Sequence, residues 1–79
     1  MLFKEAISIR IFELCDKYNY TPNKLAELSA IPPSTLRALL ANKVDNPSSL
    51  IIYKICKTLK IKVKDFYDSD LFNEDKLDD

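Results

Sequence analysis

Apolar residues recur at spacings of three and four along most of this chain, the signature of helices that each turn one face to a core. In the first segment Ile7, Ile11, Leu14, Cys15 and Tyr18 form one such stripe, which predicts an amphipathic helix of about four turns. The pair "NY" then interrupts the pattern. Thr21 is suited to cap a second helix, with Pro22 at the first helical position, where its missing N–H costs nothing. This helix is short, is expected to turn Leu25, Ala26 and Leu28 inward, and ends at "SAI".

Two consecutive prolines follow, Pro32 and Pro33, in a chain that contains no glycine. Inside a helix a proline removes a hydrogen bond and clashes one turn back, whereas at the first position of a new helix it does neither. Pro33 also forces Pro32 into an extended conformation, the backbone an N-cap requires. The pair stops one helix and starts the next within a tight turn. The third helix, roughly Pro33 to Ala41, is expected to bury Leu36, Leu39 and Leu40 and to present Pro33, Ser34, Arg37, Ala38 and Ala41 on its opposite face.

Asn42 can close the third helix in a left-handed conformation, which asparagine tolerates better than most residues. After the loop "KVDNP", the segment "SSLIIYKICKTLKI" predicts a fourth helix capped by Ser48 or Ser49. Its inward residues are Ile51, Ile52, Ile55, Cys56 and Leu59, and Lys54, Lys57 and Lys60 point outward. A fifth, short helix over about Val63 to Tyr67 is expected to pack Val63 and Phe66. The remainder, "DSDLFNEDKLDD", reads as a partly ordered tail carrying Leu71 and Phe72 in an acidic setting. The expected fold is all-α: a compact five-helix domain over residues 1–68 with an acidic tail over 69–79.

Composition narrows the chemistry. At 79 residues the chain is one domain, near the size where a single core is only just sufficient. The opening "MLFKEAISIRIF" is broken by Lys4, Glu5 and Arg10, so neither a signal peptide nor a membrane span is expected there. There is no histidine, and Cys15 and Cys56 form no CxxC pair, so no metal site and no cofactor are expected. Both cysteines read as small buried hydrophobes, reduced in a cytoplasmic setting. Without a glycine-rich phosphate loop or a convergent carboxylate pair, an enzyme is not expected. Net charge is zero, but residues 1–64 hold eleven basic residues against five acidic ones, and residues 65–79 hold Lys76 against seven acids. A basic body with an acidic tail points to nucleic acid.

Two short helices joined by a tight turn form a helix-turn-helix unit, here over about residues 21–40, whose second helix enters the major groove of DNA. From about Ile7 to Tyr67 the chain resembles the lambda-repressor and Cro type of helix-turn-helix domain, the XRE family of bacterial and phage regulators. The resemblance rests on "TPNKLAELSAIPPSTLRALL", the following "NK", "NPSSLIIYKICKTLKI" and the closing "VKDFY". It departs from the family at four places. Ala30 stands where relatives have a left-handed glycine, Pro22 replaces a glutamine, and the loop after Lys43 carries Asp45 and no cation. Cys15 and Leu40 occupy positions where many relatives place an arginine–glutamate pair.

The resemblance implies a transcriptional regulator, with repression the expected sense, that binds double-stranded DNA as a homodimer on a palindromic operator. Its implied base contacts are Pro33, Ser34, Thr35, Arg37 and Ala38, and its implied backbone contacts are Thr21, Pro22, Asn23, Asn42 and Lys43. Arginine on a recognition helix commonly reads guanine. The few usable cations imply moderate, salt-sensitive affinity. A protein-interaction module, antitoxin-like or an accessory subunit, is the alternative favoured by zero net charge and the acidic tail.

Overall fold

Four left-handed residues end the first four helices of a chain that has no glycine to do so. Asn19, Ala30, Asn42 and Lys60 have φ of 59°, 55°, 61° and 59°. They follow α1 (Phe3–Tyr18), α2 (Pro22–Leu28), α3 (Pro33–Leu40) and α4 (Ser49–Leu59), and α5 (Val63–Tyr67) completes the set. The computed structural model describes residues 1–79 and contains no strand. At each of the four ends the next N–H reaches back five residues to a helix carbonyl. The bonds are Tyr20 to Cys15 and Ile31 to Ala26 at 2.9 Å, with Lys43 to Ala38 and Ile61 to Cys56 at 3.0 Å. This is the pairing that satisfies the otherwise orphaned last carbonyls of a helix. Three of the donor residues, Tyr20, Ile31 and Ile61, also pack on or in the core, so each stop is fastened by an apolar contact.

Helix starts follow the sequence closely. The Thr21 hydroxyl accepts the Lys24 N–H at 3.1 Å with Pro22 at the first position of α2. The Ser48 hydroxyl accepts the Leu50 N–H at 3.1 Å, so of the two candidate serines Ser48 is the cap. The Asp65 carboxylate accepts the Lys62 N–H at 2.9 Å and closes the start of α5.

The core joins Ile7, Ile11, Leu14 and Cys15 of α1 to Leu25, Ala26, Leu36 and Leu39 of the helix pair and to Ile52, Ile55, Cys56 and Leu59 of α4, with Phe66 of α5 beneath. α2 packs against α1, α3 and α4, α1 packs directly on α3, and α5 packs on α4. Two inward assignments do not hold. Leu28 is half exposed, because at about 100° per residue it falls on the flank of the stripe that Leu25 and Ala26 define. Ser29 lies nearer the centre of that stripe and is the buried residue, its hydroxyl 2.6 Å from the Thr58 hydroxyl of α4. Val63 is also exposed, since a five-residue helix turns only Phe66 fully to the core. Leu40 and Ile51 are only partly buried, packed on the rim of the core.

The acidic tail is ordered against the body. Two 3-10 turns, Asp70–Phe72 and Glu74–Lys76, bring it back to the start of α1. Phe72 joins Phe3, Phe66 and Tyr67 in a four-ring cluster, with centroids 5.9, 6.2 and 5.0 Å away respectively. The Asp78 N–H donates to the Met1 carbonyl at 2.9 Å, and the Asp79 carboxylate accepts the Phe3 N–H at 3.0 Å. Acidic groups suit a helix N-terminus because the peptide dipoles leave partial positive charge there. Arg10 fastens the same end of the molecule: its guanidinium donates to the Phe66 and Asp65 carbonyls at 2.7 and 2.8 Å. None of the tail's hydrogen bonds or ring contacts goes to α3.

Three outcomes follow from this architecture. Ala30→Gly should raise stability by about 0.5–1 kcal/mol, because relief of the left-handed penalty exceeds the added freedom of the unfolded chain. Urea denaturation checks it, and Asn42→Gly should bring no such gain. Phe72→Ala should cost about 2 kcal/mol, less than for a fully buried ring. Deleting residues 69–79 should likewise lower the melting temperature, and an unchanged melting temperature would mean that the tail is not fastened to the body.

Candidate nucleic-acid interface

The turn between α2 and α3 is built from a left-handed alanine, a buried isoleucine and two prolines. Ala30 reverses the chain, and Ile31 drops its side chain into the core at 3% exposure. Pro32 sits extended at φ −55° and ψ 129°, and its carbonyl accepts the Thr35 and Leu36 N–H groups at 2.9 and 3.2 Å. The first turn of α3 is thus closed by backbone alone, with no capping side chain.

Burial of Leu36 and Leu39 fixes the roll of α3. Pro33, Ser34, Thr35, Arg37 and Ala41 are therefore exposed, and Ala38 is half-buried. The residues expected to meet bases share one continuous surface of α3. Ser34 and Ala38 occupy its middle, and their small side chains leave the helix backbone close to solvent. Arg37 lies on the flank toward α2, where its guanidinium donates to the Asn23 amide oxygen at 3.4 Å. That contact spans α2 and α3 and places Arg37 beside the residues expected to meet the DNA backbone.

An open groove of about 540 Å³ collects these residues. Thr21, Pro22 and Asn23 form one side of it, Arg37, Leu40 and Ala41 another, and Phe12 of α1 the third. Sequence reasoning missed Phe12, which is 49% exposed. The available signal was its place off the apolar stripe of α1, where an aromatic ring is left facing solvent. Lys43 follows the helix and is exposed. Asn42 is drawn inward instead: its side-chain oxygen lies 2.9 Å from the hydroxyl of buried Ser8, and its N–H donates to the Leu39 carbonyl at 3.1 Å.

Electrostatics on this side are thin but arranged. Lys4 of α1 reaches the Asp45 carboxylate of the following loop at 2.7 Å, which offsets a negative charge close after the α3 helix. The Lys4 hydrogen bond and its charge hold the Asp45 carboxyl below the usual carboxylate range. Burial pushes the Cys15 and Cys56 thiols up, so neither is a ready nucleophile. No helix is long and apolar enough to cross a membrane.

Because the Asp45 carboxyl is depressed in the folded chain, its pairing stabilises at pH above the ordinary carboxylate pKa and is lost as pH falls through the lowered value. Lys4→Met should return Asp45 to the ordinary range, read by carboxyl-carbon NMR titration. An unmoved titration would mean that Lys4 is not its partner in solution.

Among known proteins, the sequence model of the Cro/C1-type HTH DNA-binding domain matches residues 10–70, most of the chain. No curated protein and no solved structure matches it.

Proposed function

The chain belongs to the Cro/C1-type family of helix-turn-helix DNA-binding domains, a family of transcription regulation, and from that premise we propose that it acts as a repressor, as a homodimer on a palindromic operator. The observation that carries this reading is the exposed face of α3, joined to α2 by a glycine-free turn and flanked by the Arg37–Asn23 contact. Pro33, Ser34, Thr35, Arg37 and Ala38 are the proposed base contacts. Thr21, Pro22, Asn23, Asn42 and Lys43 are the proposed backbone contacts, with the inward-turned Asn42 acting through the loop it shapes. Phosphate contacts set the register and base contacts carry the sequence information. One domain covers one half-site, so two copies would place their α3 helices about 34 Å apart.

In the groove, Ser34 and Ala38 allow close approach, and Arg37 can donate twice to a guanine edge. Ala38 and the Pro33 ring favour a neighbouring thymine methyl. A protein-interaction module is the second reading, favoured by Asp45 in the loop after α3 and by zero net charge. Fluorescence polarisation against random duplex at low salt separates the two, since a DNA binder shows non-specific affinity there.

Binding-site selection on the wild type and two variants tests the residue roles. Arg37→Ala should relax one position in each half-site, a loss of roughly 1–3 kcal/mol of discrimination. Lys43→Ala should weaken binding evenly across sequences and reduce the salt slope by about one. An unchanged motif for Arg37→Ala would mean that Arg37 is not the reader and that α3 docks differently from this assignment.

A further inference from the structure

Away from the α3 face, three large apolar side chains stand half exposed or more around one groove. Leu28 is 50% exposed, Leu50 58% and Tyr53 52%. All three line a depression of about 420 Å³ between the end of α2 and the outer side of α4. Leu50 and Tyr53 are one turn apart on α4, so that helix carries a second apolar stripe in addition to the one in the core.

The groove is preformed. The Ser29 hydroxyl, 2.6 Å from the Thr58 hydroxyl, ties the end of α2 to α4, and the Thr58 hydroxyl donates to the Lys54 carbonyl at 3.2 Å. A partner would not have to order these walls, which removes one cost of binding. The charge around the groove has one sign: Lys54 and Lys57 line it, and no carboxylate does. A second copy seated here through its own groove would bring two lysine pairs together with no lining acid to offset them. The charge therefore selects against self-association and for an acidic occupant.

We infer that this groove docks an acidic amphipathic helical segment of a partner protein. Leucine- or phenylalanine-like anchors of that segment enter between Leu28, Leu50 and Tyr53, and its carboxylates meet Lys54 and Lys57. The groove shares no lining residue with the groove beside α3. The inference does not depend on the DNA reading.

The probe is a fluorescein-labelled helical peptide of leucine and glutamate, leucines at i, i+3, i+4 and i+7, titrated into the full chain and followed by anisotropy. A matched peptide with lysine for glutamate is the control. Saturable binding is expected for the glutamate peptide alone, with amide NMR shifts confined to the end of α2 and the outer face of α4. Lys54→Glu combined with Lys57→Glu should weaken it roughly tenfold, and Leu50→Glu should abolish it. Leu50→Glu should also leave the circular dichroism unchanged. Equal binding of the lysine peptide, no binding of the glutamate peptide, or indifference to the charge reversal would overturn the inference. So would a dimer in sedimentation that Leu50→Glu dissociates, since the occupant would then be a second copy.

Discussion

The angle between α2 and α3 depends on one residue that is uncomfortable where it stands. Ala30 holds φ at 55°, a conformation that costs an alanine on the order of 1–2 kcal/mol. The penalty is met by what the turn delivers: Ile31 enters the core at 3% exposure, and the Ile31 N–H closes the end of α2 on the Ala26 carbonyl. Pro32 and Pro33 then start α3 with no freedom to wander. Were Ala30 to relax to an ordinary conformation, Ile31 would leave the core and α3 would lose its roll. Every exposed side chain on α3 takes its direction from that turn.

The same solution is used at the ends of α1, α3 and α4, where asparagine or lysine takes the left-handed position. A glycine would serve at lower conformational cost in the folded state, but it would enlarge the unfolded ensemble. In a 79-residue chain with a small core, that trade is meaningful. The aromatic cluster of Phe3, Phe66, Tyr67 and Phe72 extends the core through Phe66 toward the start of α1. It uses the acidic tail as building material and sets it against the start of α1, where carboxylates are favoured.

Basic charge is spread rather than concentrated. Arg37 and Lys43 are exposed on the side of α3, Lys4 is paired with Asp45, and Lys54 and Lys57 line the groove on the outer side of α4. The other six cations of residues 1–64 lie elsewhere along the chain.

Much of this was legible in the residues. The stripe Ile7–Ile11–Leu14–Cys15, the Thr21–Pro22 start, the double proline and the left-handed Asn42 are local signals, and local signals survive because backbone hydrogen bonding and helix periodicity are decided within a few residues. The helix-turn-helix and the outward residues of α3 follow from them. The sequence alone did not determine which side a short helix shows. In α2 the buried position is Ser29 and not Leu28, because the Ser29 hydroxyl meets the Thr58 hydroxyl of α4 while Leu28 falls on the flank of the buried stripe, at the rim of the groove beside Leu50 and Tyr53. Nor did it determine that Phe72 would find three rings, that Phe12 would border the α3 groove, or that Asn42 would turn in to Ser8. Those outcomes depend on residues far apart in the chain, and only packing brings them within reach of one another.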